Sequence, residues 1–258
     1  MLRFCSLGSG SAGNALLIEA SEGLFVTRVL VDNGFGPKQL EERLGRLGLA
    51  IDDLDAVFVT HEHADHVGGV RPLLKRRTMA LLCSTGTRSA AGLTDECIDW
   101  RRARDGVPIT VGAMQITPLA VPHDAAEPLQ LVVTDGDRRL GILTDIGMPT
   151  TAVARAFDGL HALLLECNHD ADLLHSSRYP PFLKQRIAGD RGHLSNAQAA
   201  QLLQGMQRDC LNTVVAAHLS RENNRPQLAR AALAPVLGCG ESDVMVADQS
   251  DGCCWVSV

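Results

Sequence analysis

The chain has 258 residues, of which 45% are hydrophobic, 21% charged and 3% aromatic. That size and aliphatic content suit a buried core and exclude a disordered chain, and no apolar run reaches the roughly 18 residues of a membrane span. A net charge of −6 excludes a globally basic coat for nucleic acid, so any polyanion must be held by local features.

Short apolar runs bounded by Gly, Pro or Asp-Gly turns predict strands at Leu2–Leu7, Ala15–Ala20, Leu24–Val31, Ala56–Thr60 and Met79–Cys83. Further strands are predicted at Val107–Val111, Met114–Val121, Leu129–Asp135 and Arg138–Thr144, with Asp135-Gly136-Asp137 as a hairpin tip. Helical patterns intervene at Pro37–Leu47, Val67–Arg77 and Pro149–Phe157. In the second half, strands are predicted at Leu160–Glu166, Thr213–Ala217, Val244–Ala247 and Cys253–Val258. Helices are predicted there at Pro181–Ala188, Ala197–Arg208 and Arg225–Val236. Strands clustered in both halves, with helices between, predict an α/β fold of two sheets packed face to face and covered by helices. No linker or repeat divides the chain, so one domain over 1–258 is expected, with a lid segment at 167–192. The first residues lack a long apolar stretch and a small-residue cleavage site, which points to the cytoplasm. The eight cysteines form no CxxC pair and read as scattered thiols of a reducing compartment.

Gly8-Ser9-Gly10-Ser11-Ala12-Gly13 imitates a dinucleotide fingerprint, with Asp32 lying 19 residues beyond its last glycine. That mechanism needs a helix opening at the third glycine. Asn14–Ala20 reads as a strand instead, so the fingerprint fails its context. The loop is left as either a backbone approach to an anion or a tight turn.

His61-Glu62-His63-Ala64-Asp65-His66 follows a predicted strand and precedes a helix. Imidazoles and carboxylates so close together suit Zn²⁺ or Mn²⁺, and Fe²⁺ is also compatible. A solvated charged loop needs no such order. One short motif cannot fill two coordination spheres, and three further candidates each follow an apolar run: His123, Asp145 and His218. Each alone has the plainer reading of a strand-end cap.

H-x-H-x-D-H followed by His, Asp and His resembles the metallo-β-lactamase superfamily, from Ser9 to His218. The resemblance implies a four-layer αββα sandwich of two mixed β-sheets with a dinuclear metal site at one edge. It assigns His61, His63 and His123 to one metal, and Asp65, His66 and His218 to the other. Asp145 would bridge them, and Asp32 would orient the metal-binding loop. The Asp at 145, where the commonest zinc β-lactamases carry Cys, disfavours antibiotic hydrolysis.

Gly8–Asn14, Glu166–Asp170, Gly192–Asn196 and His218–Asn224 are similar to the compact bacterial YycJ/WalJ-type exonucleases. They also echo tRNA 3′-processing enzymes and cyclic-phosphate phosphodiesterases. Glu166 and His193 match a pair that assists the leaving group there. Ser195-Asn196-Ala197-Gln198 has capping-box form, so His193 by itself is equally readable as a buttress of that cap. His169 reads as a site residue or a helix cap, and His161 and His175 as structural or surface residues.

Tyr179, Lys184, Arg186 and Arg191 make the 167–192 segment either a lid holding a strand by stacking and charge or an ordinary helical hairpin. Arg71, Lys75, Arg76 and Arg77, and Arg101, Arg102 and Arg104, read as solvated faces. The expected activity is metal-dependent phosphodiester hydrolysis, nuclease-like and 5′–3′ on DNA rather than RNA, with Asp65 orienting the attacking water and His193, positioned by Glu166, protonating the leaving oxygen. The alternatives are a glyoxalase-II-like or lactonase-like hydrolase of small esters and thioesters, and a binding module that has lost catalysis.

Overall fold

The computed structural model describes residues 1–258. The first sheet contains β1 (Leu2–Gly8), β2 (Ala15–Glu22), β3 (Phe25–Val31), β4 (Ala56–Phe58), β5 (Ala80–Cys83) and β6 (Trp100–Arg102). The second contains β7 (Ile109–Val111), β8 (Met114–Ala120), β9 (Leu129–Thr134), β10 (Arg139–Leu143), β11 (Ala162–Glu166), β12 (Thr213–Ala217) and β13 (Met245–Val246). The chain then returns so that β14 (Val256–Ser257) pairs with β1, giving two sheets of seven strands. Each sheet runs through three antiparallel pairings followed by three parallel ones, so both are mixed.

Alternation along the strands explains the layering. Leu2 and Phe4 of β1, Leu16 and Ile18 of β2, Phe58 of β4 and Leu164 of β11 fill the space between the sheets. Their chain neighbours Leu17 and Val57 face outward from the first sheet, and Leu163 and Leu165 from the second. Side chains alternate with a period of two, so a strand apolar on both faces must be covered on both. The outer cover of the first sheet is α1 (Pro37–Gly45), the single-turn α2 (Ala64–Val67), α3 (Val70–Arg76) and α4 (Thr85–Ala90), with Leu40, Leu44, Val70 and Leu73 buried against it. Over the second sheet lie α5 (Thr151–Ala156), α8 (Asn196–Gln204) and α9 (Pro226–Leu237), which bury Val153, Leu202 and Leu233. Between α5 and α8 come α6 (Ala171–Ser176) and α7 (Pro181–Ala188); α7 buries none of its residues. The architecture is the αββα sandwich of two mixed sheets.

Several boundaries differ from the sequence reading. The strand predicted over Ala56–Thr60 ends at Phe58, because Thr60 turns its N–H onto the Asp32 side chain. The basic run at 101–104 contains an edge strand, β6. Pro235 lies inside α9, near its end, and the helix stops three residues later at Gly238, which is left-handed at φ 67°. Phe58, 0% exposed at the centre of the sandwich, sets a stability test. Phe58→Ala is expected to cost about 3–5 kcal/mol, read from the urea midpoint at unchanged slope. A loss below about 1 kcal/mol would mean that the layers repack freely.

Candidate metal centre

The strands that matter end at one rim. Asp32 follows β3, His61 follows β4, Asp145 follows β10, Glu166 ends β11 and His218 follows β12. His123 comes just after β8, which runs antiparallel to β9 and hence in the direction of β10. Three of these residues, Asp32, Asp145 and His218, are the only non-glycine positions with positive φ, at 59°, 53° and 55°. A left-handed residue turns the chain sharply at the strand end and aims its side chain across the rim. Such conformations are sparsely populated and gather where function demands them.

All seven predicted ligands come together. The facing atoms of His61, His63 and His123 lie within 4.8 Å of one another, as do those of Asp65, His66 and His218, and of His61, His66 and Asp145. Hydrogen bonding aims the imidazoles. Thr60 Oγ1 donates to Asp32 Oδ2, so it accepts from His61 Nδ1, 3.0 Å away, and His61 Nε2 faces the cluster. Asp32 Oδ2 also accepts from His66 Nδ1 at 2.8 Å, turning His66 Nε2 toward Asp145 Oδ2 at 3.2 Å. The Gly192 carbonyl accepts from His123 Nδ1 at 3.0 Å. In each case the nitrogen away from the cluster faces an acceptor, which leaves the other able to present a lone pair to a cation, as metal-ligating histidines require.

The donor set fits divalent cations. His61 Nε2 and His123 Nε2 both converge on His63 Nδ1, at 3.1 and 3.3 Å, and a single proton there cannot satisfy both. Asp145 Oδ2 and His218 Nδ1 are buried without hydrogen-bond partners. Leaving such groups unpaired is costly unless something positive lies between them. Burial and the neighbouring imidazoles push His61 well below the usual histidine range, which keeps it neutral. Burial raises the Asp145 carboxyl, but His218 and His66 outweigh it and hold Asp145 well below the usual range.

Glu166 and His193 stand beside the cluster. His193 Nδ1 is 2.7 Å from Glu166 Oε1, while Glu166 Oε2 accepts the N–H groups of Ile146 and Leu194 at 2.9 and 3.3 Å. The imidazole stacks on His218 at 5.3 Å between ring centroids and leaves Nε2 without a protein partner. Burial opposes a charge on His193. The Glu166 carboxylate, its hydrogen bond, Asp145 and Asp124 outweigh that and raise the imidazole to about 9. The predicted cap is present too: Ser195 Oγ accepts from Gln198 N–H at the start of α8. His193 lies two residues outside that cap and makes no bond to it.

His193, His218 and Asp145 line a cleft of about 370 Å³, walled on its other side by Tyr179, Leu183, Arg186 and Ile187. Arg186 Nε bonds Asp124 Oδ2 at 2.6 Å, tying α7 to the loop that carries His123. Lys184 turns away to the His175 carbonyl, so of the predicted cations Arg186 and not Lys184 faces this cleft. Gly192 lets the segment close in, since a Cβ there would meet the Arg186 and Ile187 carbonyl oxygens at 2.2 Å.

Other expectations resolve differently. The Gly8–Gly13 loop is a tight turn: Ser9 N–H donates to the Asp248 carbonyl, Gly10 N–H to Asn14 Oδ1 and Gly13 N–H to the Gly10 carbonyl, while Ser11 lines the metal cleft. Its contribution is Asn14, missed from sequence, whose N–H holds the Asp65 carbonyl at 2.8 Å and whose Nδ2 lies 3.1 Å from Asp65 Oδ2. Asp170, not His169, caps α6. His161 Nδ1 accepts from Arg139 N–H, a structural contact.

His169 is buried, and burial, opposed by Glu166 and aided by His193, pushes it down to about 4. In the unfolded chain it titrates near 6.5. Below that pH the unfolded state takes a proton that the folded state refuses until about 4. Stability should therefore fall across that window, by up to about 3 kcal/mol. His169→Asn is expected to flatten this part of the stability–pH curve in urea unfolding at pH 7 and 4.5. An unchanged slope would exclude His169 as the acid-labile group.

A sandwich of two mixed sheets with a His/Asp cluster at its rim defines a metallo-hydrolase architecture whose family implies divalent metal ions. The chain belongs to the metallo-β-lactamase superfamily, its residues 27–218 matching the model of the beta-lactamase superfamily domain. It is 32% identical over 252 residues to exodeoxyribonuclease YycJ of Bacillus anthracis, covering 93% of each chain. It is also 32% identical over 237 residues to exodeoxyribonuclease WalJ of Streptococcus pneumoniae, covering 90% of this chain and 86% of the relative. The metallo-beta-lactamase fold protein YhfI of Bacillus subtilis superposes with a TM-score of 0.76 at 17% identity, covering 99% of this chain and 98% of the other. No helix is long and apolar enough to cross a membrane.

Proposed function

We propose that the protein is a nuclease that hydrolyses phosphodiester bonds of DNA from an end, with two divalent ions, Zn²⁺ or Mn²⁺, at the rim. His61, His63 and His123 would hold one ion, Asp65, His66 and His218 the other, and Asp145 both. When bound, such ions supply Lewis acidity at a phosphoryl oxygen and lower the pKa of water into the neutral range. The observation that carries the reading is His193, held by Glu166 with Nε2 free toward the cleft. A donor there can pass its proton to a poor leaving group such as a sugar oxygen. An activated ester or lactone has less need of one. The Asp65 carboxylate sits at the mouth, 23% exposed, where it accepts a hydrogen bond from the attacking water and orients it. Similarity to two exodeoxyribonucleases over most of the chain supports DNA as substrate.

The segment 167–192 acts as a lid of one continuous domain over 1–258. Tyr179 offers a face for a base to stack on, and Arg186 a guanidinium for a phosphate once Asp124 releases it. The test is a Mn²⁺- or Zn²⁺-loaded preparation given end-labelled DNA, RNA, a small phosphodiester, a thioester and a lactone, with Asp65→Ala as blank. Shortening of DNA from one end is expected. Turnover of the thioester or lactone alone would overturn the reading in favour of an ester hydrolase.

A further inference from the structure

A second cavity, of about 490 Å³ and larger than the metal cleft, opens beside Leu219 and Ser220, the residues that follow His218. No residue lines both, but Ser9 lines the second cavity while its Oγ accepts the backbone N–H of His218, which lines the metal cleft, at 2.8 Å. Its walls carry Arg221, Arg225 and Arg230 against a single carboxylate, Asp248. In a chain of net charge −6 that is a local reversal of sign. No carboxylate lies within ion-pair distance of any of the three arginines. Asp248 is engaged locally, its Oδ1 accepting the N–H groups of Ser250 and Asp251 at 2.6 and 2.9 Å.

The arginines are nevertheless held in place. Arg221 Nη2 donates to Ser250 Oγ at 2.7 Å, Arg225 Nη1 to the Arg221 carbonyl at 3.1 Å and Arg230 Nε to the Val244 carbonyl at 3.1 Å. Each keeps other N–H groups for a ligand. The floor supplies an independent sign of one. Gln249 is only 8% exposed, lines the cavity, and its carboxamide has no protein hydrogen-bond partner. The amide opens onto the cavity and is free to bond a polar group bound there. Planar guanidinium forks together with an amide donor suit phosphoryl oxygens.

We infer that this cavity seats a second phosphoryl group of the substrate, other than the one hydrolysed at the metal cluster; this rests on the phosphodiester reading above. A polymer that crosses the His218 rim carries a phosphate at every nucleotide, so one held at the metals brings its neighbours toward Arg221, Arg225 and Arg230. A small diester reaches only the metals.

The test compares the metal-loaded full chain with Arg221→Gln/Arg225→Gln and with the milder Arg225→Lys. The substrates are bis(4-nitrophenyl) phosphate and one single-stranded oligonucleotide, with and without a 5′-phosphate. The double variant is expected to raise KM for the oligonucleotide about tenfold or more. Its log–log salt slope should fall by about 0.7 for each lost contact. Turnover of the small diester should change less than about twofold, which also reports an intact fold, and Arg225→Lys should keep most of the salt slope. Loss confined to the 5′-phosphorylated strand identifies the ligand as the end monoester, and equal loss on both strands as a backbone diester. Unchanged KM and slope, or an equal fall on the small diester, overturns the proposal. A wild-type enzyme that hydrolyses the small diester but neither oligonucleotide overturns the nucleic-acid reading itself. Wild-type turnover of the oligonucleotide that the double variant matches overturns the cavity alone.

Discussion

Asp145→Asn is expected to lower turnover by about 10²–10⁴-fold and to reduce bound metal from the two ions per chain proposed above to one or none, read by elemental analysis of gently purified protein. The carboxylate lies within reach of four imidazoles: Oδ2 is 3.2 Å from His66 and 3.4 Å from His218, and Oδ1 is 3.6 Å from His193 and 4.0 Å from His123. An amide is the same size but supplies no charge to offset bound cations. Losing a few kcal/mol of electrostatic stabilisation corresponds to that range of rates. The backbone should tolerate the change, because Asn accepts the left-handed conformation as readily as Asp. Cooperative unfolding at a nearly unchanged midpoint is therefore expected in the presence of chelator. Full metal content and near-normal turnover in Asp145→Asn would remove Asp145 from the ligand set.

His193→Ala should reduce kcat by about 10²–10⁴-fold with metal content retained, because its imidazole meets the predicted ligands only by ring packing on His218 and His123 and at the 3.6 Å approach to Asp145. The deficit should shrink on a diester whose leaving group is nitrophenolate, which departs without a proton. Glu166→Gln is expected to show the same leaving-group dependence more weakly. The amide can still face His193 Nδ1 but no longer stabilises the imidazolium. Equal losses on good and poor leaving groups would assign His193 to phosphate binding or to support of α8 instead.

Much of this arrangement is legible in the residues, for physical reasons. β1, β2, β10 and β11 are apolar on both faces because helices cover one and the opposing sheet the other, and such runs stand out in any sequence. The ligands are legible because H-x-H-x-D-H places several donors beside one strand end, and His123, Asp145 and His218 each follow an apolar run. What escaped depends on tertiary contacts. β6 is a short exposed edge strand whose Trp100-Arg101-Arg102 looks like a charged surface. α4 and α6 are six-residue helices of under two turns, whose caps, Ser84 and Asp170, carry little weight without the turns they close. Asn14 was visible as a letter in a glycine-rich loop, but its contact with Asp65 spans 51 residues. The arginine cavity is assembled from a loop, α9 and the stretch after β13, with no sequence pattern of its own.

The three left-handed residues at the rim carry a further cost. Each non-glycine residue held there stores about 1–3 kcal/mol of backbone strain. Asp32, Asp145 and His218 together could account for a substantial part of a typical domain's marginal stability. Glycine at any of them would relieve that strain while deleting a predicted ligand or, at Asp32, the carboxylate that orients His66. The fold and the chemistry thus compete for the same three positions. Descendants freed from catalysis should gain thermal resistance by drifting to glycine there, and a stabilised scaffold could be engineered by the same route. Activity in this chain is what keeps its rim under tension.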